Sequence, residues 1–154
     1  MHNWFECKIS YDKRGKTMED VPQKVVESYL VDALSFTEAE ARIIEMQQPY
    51  ISGNFTVSDI RRARYQDSLL DSPGDRFYKV KINLITLDEK TGDEKKTPNM
   101  VLVRASTIHD AIRFLDEGYK SVQFDYVIVA ATETALIDVY PYTAEDKTVR
   151  NISE

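Results

Sequence analysis

The sequence predicts an α+β fold of two ββαβ repeats packed with pseudo-twofold symmetry, mainly antiparallel sheet with two helices. Three observations point to it. First, a strand-to-helix stretch occurs twice. Tyr29-Leu30-Val31-Asp32-Ala33-Leu34-Ser35-Phe36-Thr37-Glu38-Ala39 returns as Val101-Leu102-Val103-Arg104-Ala105-Ser106-Thr107-Ile108-His109-Asp110-Ala111, with Leu30, Val31, Ala33 and Ala39 recurring 72 positions later. Second, an alternating apolar segment and a polar, glycine-containing loop precede each copy. Third, a segment rich in β-branched and aromatic residues follows each copy. One ββαβ unit has a sheet face to cover and a single helix to cover it, so two units bury their apolar faces jointly. Halves of roughly 70 residues, joined at Ser72 to Asp75, would be marginal as separate domains. The expectation is therefore one domain over residues 1–142, with repeats 1–71 and 75–142, and a frayed tail over 143–154.

The elements follow in order. From Trp4 to Tyr11, Phe5, Cys7, Ile9 and Tyr11 alternate with Glu6, Lys8 and Ser10, the period of a strand with one buried face. Asp12 to Pro22 is polar and contains Gly15, which fits a long hairpin connection. Lys24 to Ala33 is the returning strand. Ser35 starts a helix, with Glu38 three residues on to complete a capping box. Phe36, Ala39, Ile43 and Met46 form its apolar stripe, and Gln47-Gln48-Pro49 ends it. Ile51-Ser52-Gly53 is a turn. Ser58 to Leu70 fits either a helix capped by Ser58 or an extended segment, and the corresponding part of the second copy favours the extended form. Asp71-Ser72-Pro73-Gly74-Asp75 marks the boundary.

In the second copy Tyr78, Val80, Ile82 and Leu84 alternate against Lys79, Lys81 and Asn83. Asp88 to Pro98 is a charged loop with Gly92, and Asn99 to Ala105 returns. Ser106 or Thr107 caps a helix with the stripe Ile108, Ala111, Ile112, Leu115 and Tyr119, and Gly118 lies near its end. Phe124 to Tyr140 is β by composition. It exceeds an ordinary strand of ~5–6 residues, so a bend or bulge is expected near Ala130 to Glu133.

Composition bounds the function classes. The 154 residues are 42% hydrophobic and 30% charged with a net charge of −6, and the two halves are alike in charge. This is a globular composition, and its sign argues against coating nucleic acid by bulk electrostatics. Cys7 is the single cysteine, so no internal disulfide forms and a reducing, cytoplasmic setting is expected. The start, Met1-His2-Asn3-Trp4-Phe5-Glu6, lacks the basic and apolar regions of a signal peptide. No run approaches the ~20 apolar residues of a membrane span, and no membrane association is expected.

Catalytic chemistry is weakly marked. His2, His109 and Cys7 are the metal-ligating types beyond carboxylates, without i, i+4 or C-x-x-C spacing, so no metal or other cofactor is expected. Cys7 falls on the inward side of its strand as a small core residue, and His109 lies in a first helical turn. A Cys7–His109 pair lacks an orienting acid. The five glycines, at 15, 53, 74, 92 and 118, make no phosphate-binding loop. Asp88-Glu89 and Asp93-Glu94 read as solvated loop charges. One basic cluster stands beside an aromatic: Arg61-Arg62-Ala63-Arg64-Tyr65. On a strand Arg62 and Arg64 would share one face, with Arg61 and Tyr65 on the other. Lys79 and Lys81 make a second row, beside Arg104 if their strands pair. Guanidinium groups meet phosphates and a tyrosine stacks on a base, so these seven residues form the candidate nucleic-acid contact. The alternative is that they balance neighbouring acids on solvated faces. Trp4 is either a stacking platform or a core-edge residue.

The runs Trp4-Phe5-Glu6-Cys7-Lys8-Ile9, Tyr29 through Arg42, Phe55-Thr56-Val57-Ser58-Asp59-Ile60 and Asp138-Val139-Tyr140-Pro141-Tyr142 resemble an uncharacterised domain family of anaerobic gut bacteria and their phages and mobile elements. The resemblance covers Trp4 to about Tyr142. That family has no assigned activity, so the resemblance implies no catalytic or binding residue. Its setting raises the expectation of a DNA-related accessory role. The leading expectation is a non-enzymatic binding or adaptor protein with a protein partner or self-association. The alternative is a single-stranded nucleic-acid-binding accessory protein.

Overall fold

A computed structural model describes residues 2–13 and 21–142. Most of the first hairpin loop and the tail over 143–154 lie outside the described residues. The elements run β1 (Trp4–Lys13), β2 (Gln23–Asp32), α1 (Phe36–Gln47), β3 (Phe55–Ala63), β4 (Asp67–Leu69), β5 (Arg76–Leu87), β6 (Glu94–Ala105), α2 (Ile108–Gly118), β7 (Asp125–Glu133) and β8 (Leu136–Tyr140). They form two four-stranded mixed sheets, each with one helix, in the repeated ββαβ arrangement expected. Two units result: one holds the chain up to Ala63 and again from Leu136, the other holds Arg64–Ala135.

In the first unit the strand order is β3-β1-β2-β8. β1 and β2 are antiparallel, Trp4 opposite Asp32 and Lys13 opposite Gln23. β3 joins the other side of β1 with a bulge, since Lys8 faces Asp59 while Ile9 faces Val57, leaving Ser58 extra. β8 runs parallel to β2, with Tyr140 opposite Val31. Alternation along the strands turns Phe5, Cys7, Ile9, Tyr29 and Val31 towards Ala39 and Ile43 of α1. Ser35 starts that helix from an extended backbone, its hydroxyl accepting from the Glu38 amide at 3.1 Å.

The second unit has the order β4-β6-β5-β7. Tyr78, Val80, Ile82, Val101 and Val103 pack with Ala111, Leu115 and Tyr119 of α2. Of the two possible caps Thr107 takes the role, accepting from the Asp110 amide at 3.1 Å. The β5/β7 pairing shifts register between Lys81 and Ile82, so the extra residue is Val129, the counterpart of the Ser58 bulge. β4 lies parallel to β6, with Leu69 opposite Val103.

Three sequence expectations are refined. Residues 58–70 are extended, as the second copy indicated, but divide into β3 and β4. Phe124 to Tyr140 likewise divides into β7 and β8 at Thr134-Ala135, and its bulge falls at Val129, just before the expected Ala130 to Glu133. The loop expected over Asp88 to Pro98 is shorter, because β6 already starts at Glu94. Pro98 is tolerated in a strand there because β4 reaches only Val101 to Val103, leaving β6 an open side at the proline.

The units also differ from the sequence repeats. Each repeat ends in a short strand that is hydrogen-bonded into a sheet whose other strands come from the other repeat: β4 beside β6, β8 beside β2. The Asp71 to Asp75 stretch lies inside the second unit and is packed there. Ser72 Oγ donates to the Arg104 carbonyl at 2.5 Å. Gly74 has φ 153° and lies so close to β6 that a Cβ would stand 2.3 Å from the Ala105 carbonyl carbon. Only glycine fits that approach.

Candidate functional site

Of the seven sequence-predicted residues, Arg61 and Arg62 belong to the first unit and Arg64, Tyr65, Lys79, Lys81 and Arg104 to the second. Arg61 and Arg62 are neighbours on β3 and therefore face opposite sides of the sheet. Arg61 stands opposite Glu6, and its Nε donates to Asp59 Oδ2 at 2.7 Å. Arg62 stands opposite Phe5 on the helix side, its guanidinium carbon 5.2 Å from the Phe5 ring centroid and 5.4 Å from that of Phe36. Strand alternation ends at Ala63, so Arg64 does not continue the Arg62 row. Arg64 is exposed and Tyr65 half-buried, in the link to β4. Lys79, Lys81 and Arg104 do share one face of the second sheet, since Lys79 is opposite Leu102 and Arg104 opposite Phe77. Lys79 is exposed, Lys81 half-buried, and the Arg104 guanidinium lies 5.1 Å from the Phe77 ring centroid.

The catalytic candidates are also placed. Cys7 is fully buried, and burial, with the Glu6 carboxylate adding to it, pushes its thiol up to about 12. A thiol so protonated is no nucleophile at neutral pH. His109 is exposed in the first turn of α2. Trp4 is buried at a strand start, which answers the platform reading, and the His2 ring stacks on it at 4.7 Å. His2 Nδ1 is 2.6 Å from Oδ2 of the buried Asp32, whose Oδ1 accepts from the Asn3 amide. Among the described residues no group of three or more His, Cys, Asp or Glu side chains is placed to hold a metal ion. None of the described helices is long and apolar enough to cross a membrane.

Two further surfaces carry no sequence motif. The first is β7, an edge strand of the second sheet. Its central run, Tyr126-Val127-Ile128-Val129-Ala130-Ala131-Thr132, has no charged residue, and Val127 and Val129 are 50% and 51% exposed. Its counterpart β3 carries Asp59, Arg61 and Arg62. Charges on an edge strand discourage pairing with other chains, and β7 lacks them over this run. The uncharged run was visible in the sequence, but sequence alone does not say which strand becomes an edge.

The second is a groove of about 600 Å³ in the first unit, between the end of α1 and β8. Its walls include Tyr29, Tyr50, Tyr140 and Met46, with the carboxylates of Glu45 and Asp138, and among the described residues neither lysine nor arginine. Tyr29 and Tyr140 stack with centroids 5.9 Å apart and an 11° interplanar angle. Gln47 Nε2 donates to the Tyr140 hydroxyl at 2.7 Å, which fixes that ring against the helix end. Burial first, then the nearby Glu27 carboxylate, raises Tyr29 above the ordinary phenol value. Burial, with Asp138 adding to it, raises Tyr140. These phenols stay neutral at physiological pH.

A family model, Domain of unknown function (DUF4494), matches residues 3–142, and the chain belongs to that family. No curated protein and no solved structure matches it.

Proposed function

We propose that this DUF4494 protein is a non-enzymatic binding protein that takes an extended segment of a protein partner along β7, adding a strand to its second sheet. The observation that carries the reading is the uncharged edge at Tyr126 to Thr132, with Val127 and Val129 half exposed. A free edge offers a row of backbone donors and acceptors, and side-chain alternation supplies selectivity. The Val129 bulge twists the edge, which disfavours indiscriminate pairing and favours a strand of matching shape.

The single-stranded nucleic-acid reading has less support. It needs convergent cations, whereas Arg61 is engaged by Asp59 and Arg62 lies over two phenylalanine rings. What remains for it is the exposed Arg64 and the Lys79, Lys81 and Arg104 face. The test is amide hydrogen exchange of the full chain, alone and with its captured partner, beside a Val127→Lys/Val129→Lys variant. Slowed exchange across residues 126–132 in the complex, and loss of capture by the variant, is the expected result. Unchanged exchange there, or capture by the variant at full strength, would overturn the reading.

A further inference from the structure

We propose that the groove at the end of α1 binds a lysine or arginine side chain presented by a polypeptide. Three independent features of the first unit converge on that chemistry. Aromatic rings line the groove: Tyr140, backed by the buried Tyr29 stacked on it, and Tyr50 standing 81% exposed at the rim. Ring faces attract organic cations, more strongly as water is excluded. Glu45 and Asp138 add two carboxylates, with no basic residue among the described residues of the lining. The groove also opens at the C-terminal end of α1, whose last turn contains no basic residue. That is the negative end of the helix dipole.

The second unit supplies an internal comparison. By strand register Tyr140 corresponds to Leu69 and Tyr29 to Val101, and Asp138 corresponds to Asp67. There Tyr119, at the end of α2, donates its hydroxyl to Asp67 Oδ2 at 2.7 Å, so the carboxylate is satisfied from within. In the first unit the equivalent helix-end residue is Gln47, which turns to the Tyr140 hydroxyl instead. The aromatic walls thus belong to one copy alone. Asp138 Oδ1 accepts from the Val139 amide at 2.8 Å, as Asp67 Oδ1 does from the Ser68 amide, but in the first unit the helix end supplies no tyrosine hydroxyl to Asp138 Oδ2. A flat, weakly hydrated guanidinium or the alkyl stem and ammonium of lysine fits between Met46 and the rings.

This inference goes beyond the β7 reading and does not depend on it. The test titrates isotope-labelled full-length protein with a capped Gly-Lys-Gly peptide, its arginine and norleucine analogues, and tetramethylammonium, following amide shifts at Met46, Tyr50, Ile137 and Asp138. Saturable shifts are expected with the lysine or arginine peptide, and about tenfold weaker binding with norleucine. Asp138→Asn and Tyr50→Ala should each weaken binding several-fold, while Val127→Lys leaves it unchanged. Tyr50 is a rim residue, so its variant keeps the test valid if Asp138→Asn fails to fold. Equal binding of norleucine, no saturation in the millimolar range, or insensitivity to Tyr50→Ala would overturn the proposal. Tetramethylammonium binding as tightly as the peptides would overturn the polypeptide source.

Discussion

Tyr119 and Asp67 lie 52 residues apart in sequence and share a 2.7 Å hydrogen bond in which the phenol donates to the carboxylate. The bond ties the end of α2 to β4, a strand of three residues. A strand this short has few ladder bonds of its own, so side-chain support counts. Tyr119→Phe keeps the ring contacts with Phe124 and Tyr126 and removes only the bond. The expected loss is about 1 kcal/mol in urea unfolding, with faster amide exchange in β4. An unchanged exchange rate there would show that the bond does not hold the strand.

Gly74→Ala should be among the costliest small substitutions in the chain. The added methyl meets the Ala105 backbone at 2.3 Å, and φ 153° disfavours any side chain. Backbone on β6 cannot step aside without breaking its pairing with β5. A loss of about 2 kcal/mol or more is expected, read as a lower urea midpoint. A variant of wild-type stability would mean that the turn re-forms elsewhere.

The helix caps offer a paired measurement. Ser35→Ala and Thr107→Ala each remove an oxygen accepting from the amide three residues on. Each should lower stability by about 1 kcal/mol, and their glycine counterparts by less. Thermal unfolding followed by circular dichroism reads both. No change on Thr107→Ala would mean that Ser106 takes over the cap.

Cys7 links stability to alkaline pH. Its thiol ionises near 9.0 ordinarily and near about 12 in the folded chain. Between those values the unfolded state has lost the proton and the folded state keeps it, so stability falls as pH rises through the window. Below the window Cys7 contributes no slope. Cys7→Ala should flatten the fall without abolishing it, since Tyr29 and Tyr119 are also raised. A thiol reagent at neutral pH should label the native protein only at the rate of unfolding. Rapid labelling would contradict the burial.

Much of the fold was legible in the sequence because its signals are local. Alternation placed Phe5, Cys7 and Ile9 on one side of β1, and Ser35 with Glu38 marked the helix start. The duplication resolved the ambiguity over residues 58–70. What local pattern cannot carry is partnership. Nothing in Asp67-Ser68-Leu69 or Leu136 to Tyr140 says which β strand will be its neighbour, and both pair with a strand outside their own repeat. The site readings divide the same way. A run of arginines is visible along the chain, but Arg61 and Arg62 point to opposite faces and have separate intramolecular partners. The groove draws Tyr29, Tyr50 and Tyr140 from three distant segments, so no motif announces it.

The placement of β4 and β8 sets an order of assembly on the ribosome. The second unit is one continuous stretch, Arg64–Ala135, and all its strands have been synthesised before β8 is made. The first unit begins earlier yet waits for Leu136 to Tyr140 to fill the place beside β2. Until then Leu30 and Val31, both fully buried in the finished structure, border an open sheet edge. The half of the protein that is translated first is therefore the last to close, and a nascent chain stalled before Leu136 would carry one completed sheet and one unfinished one.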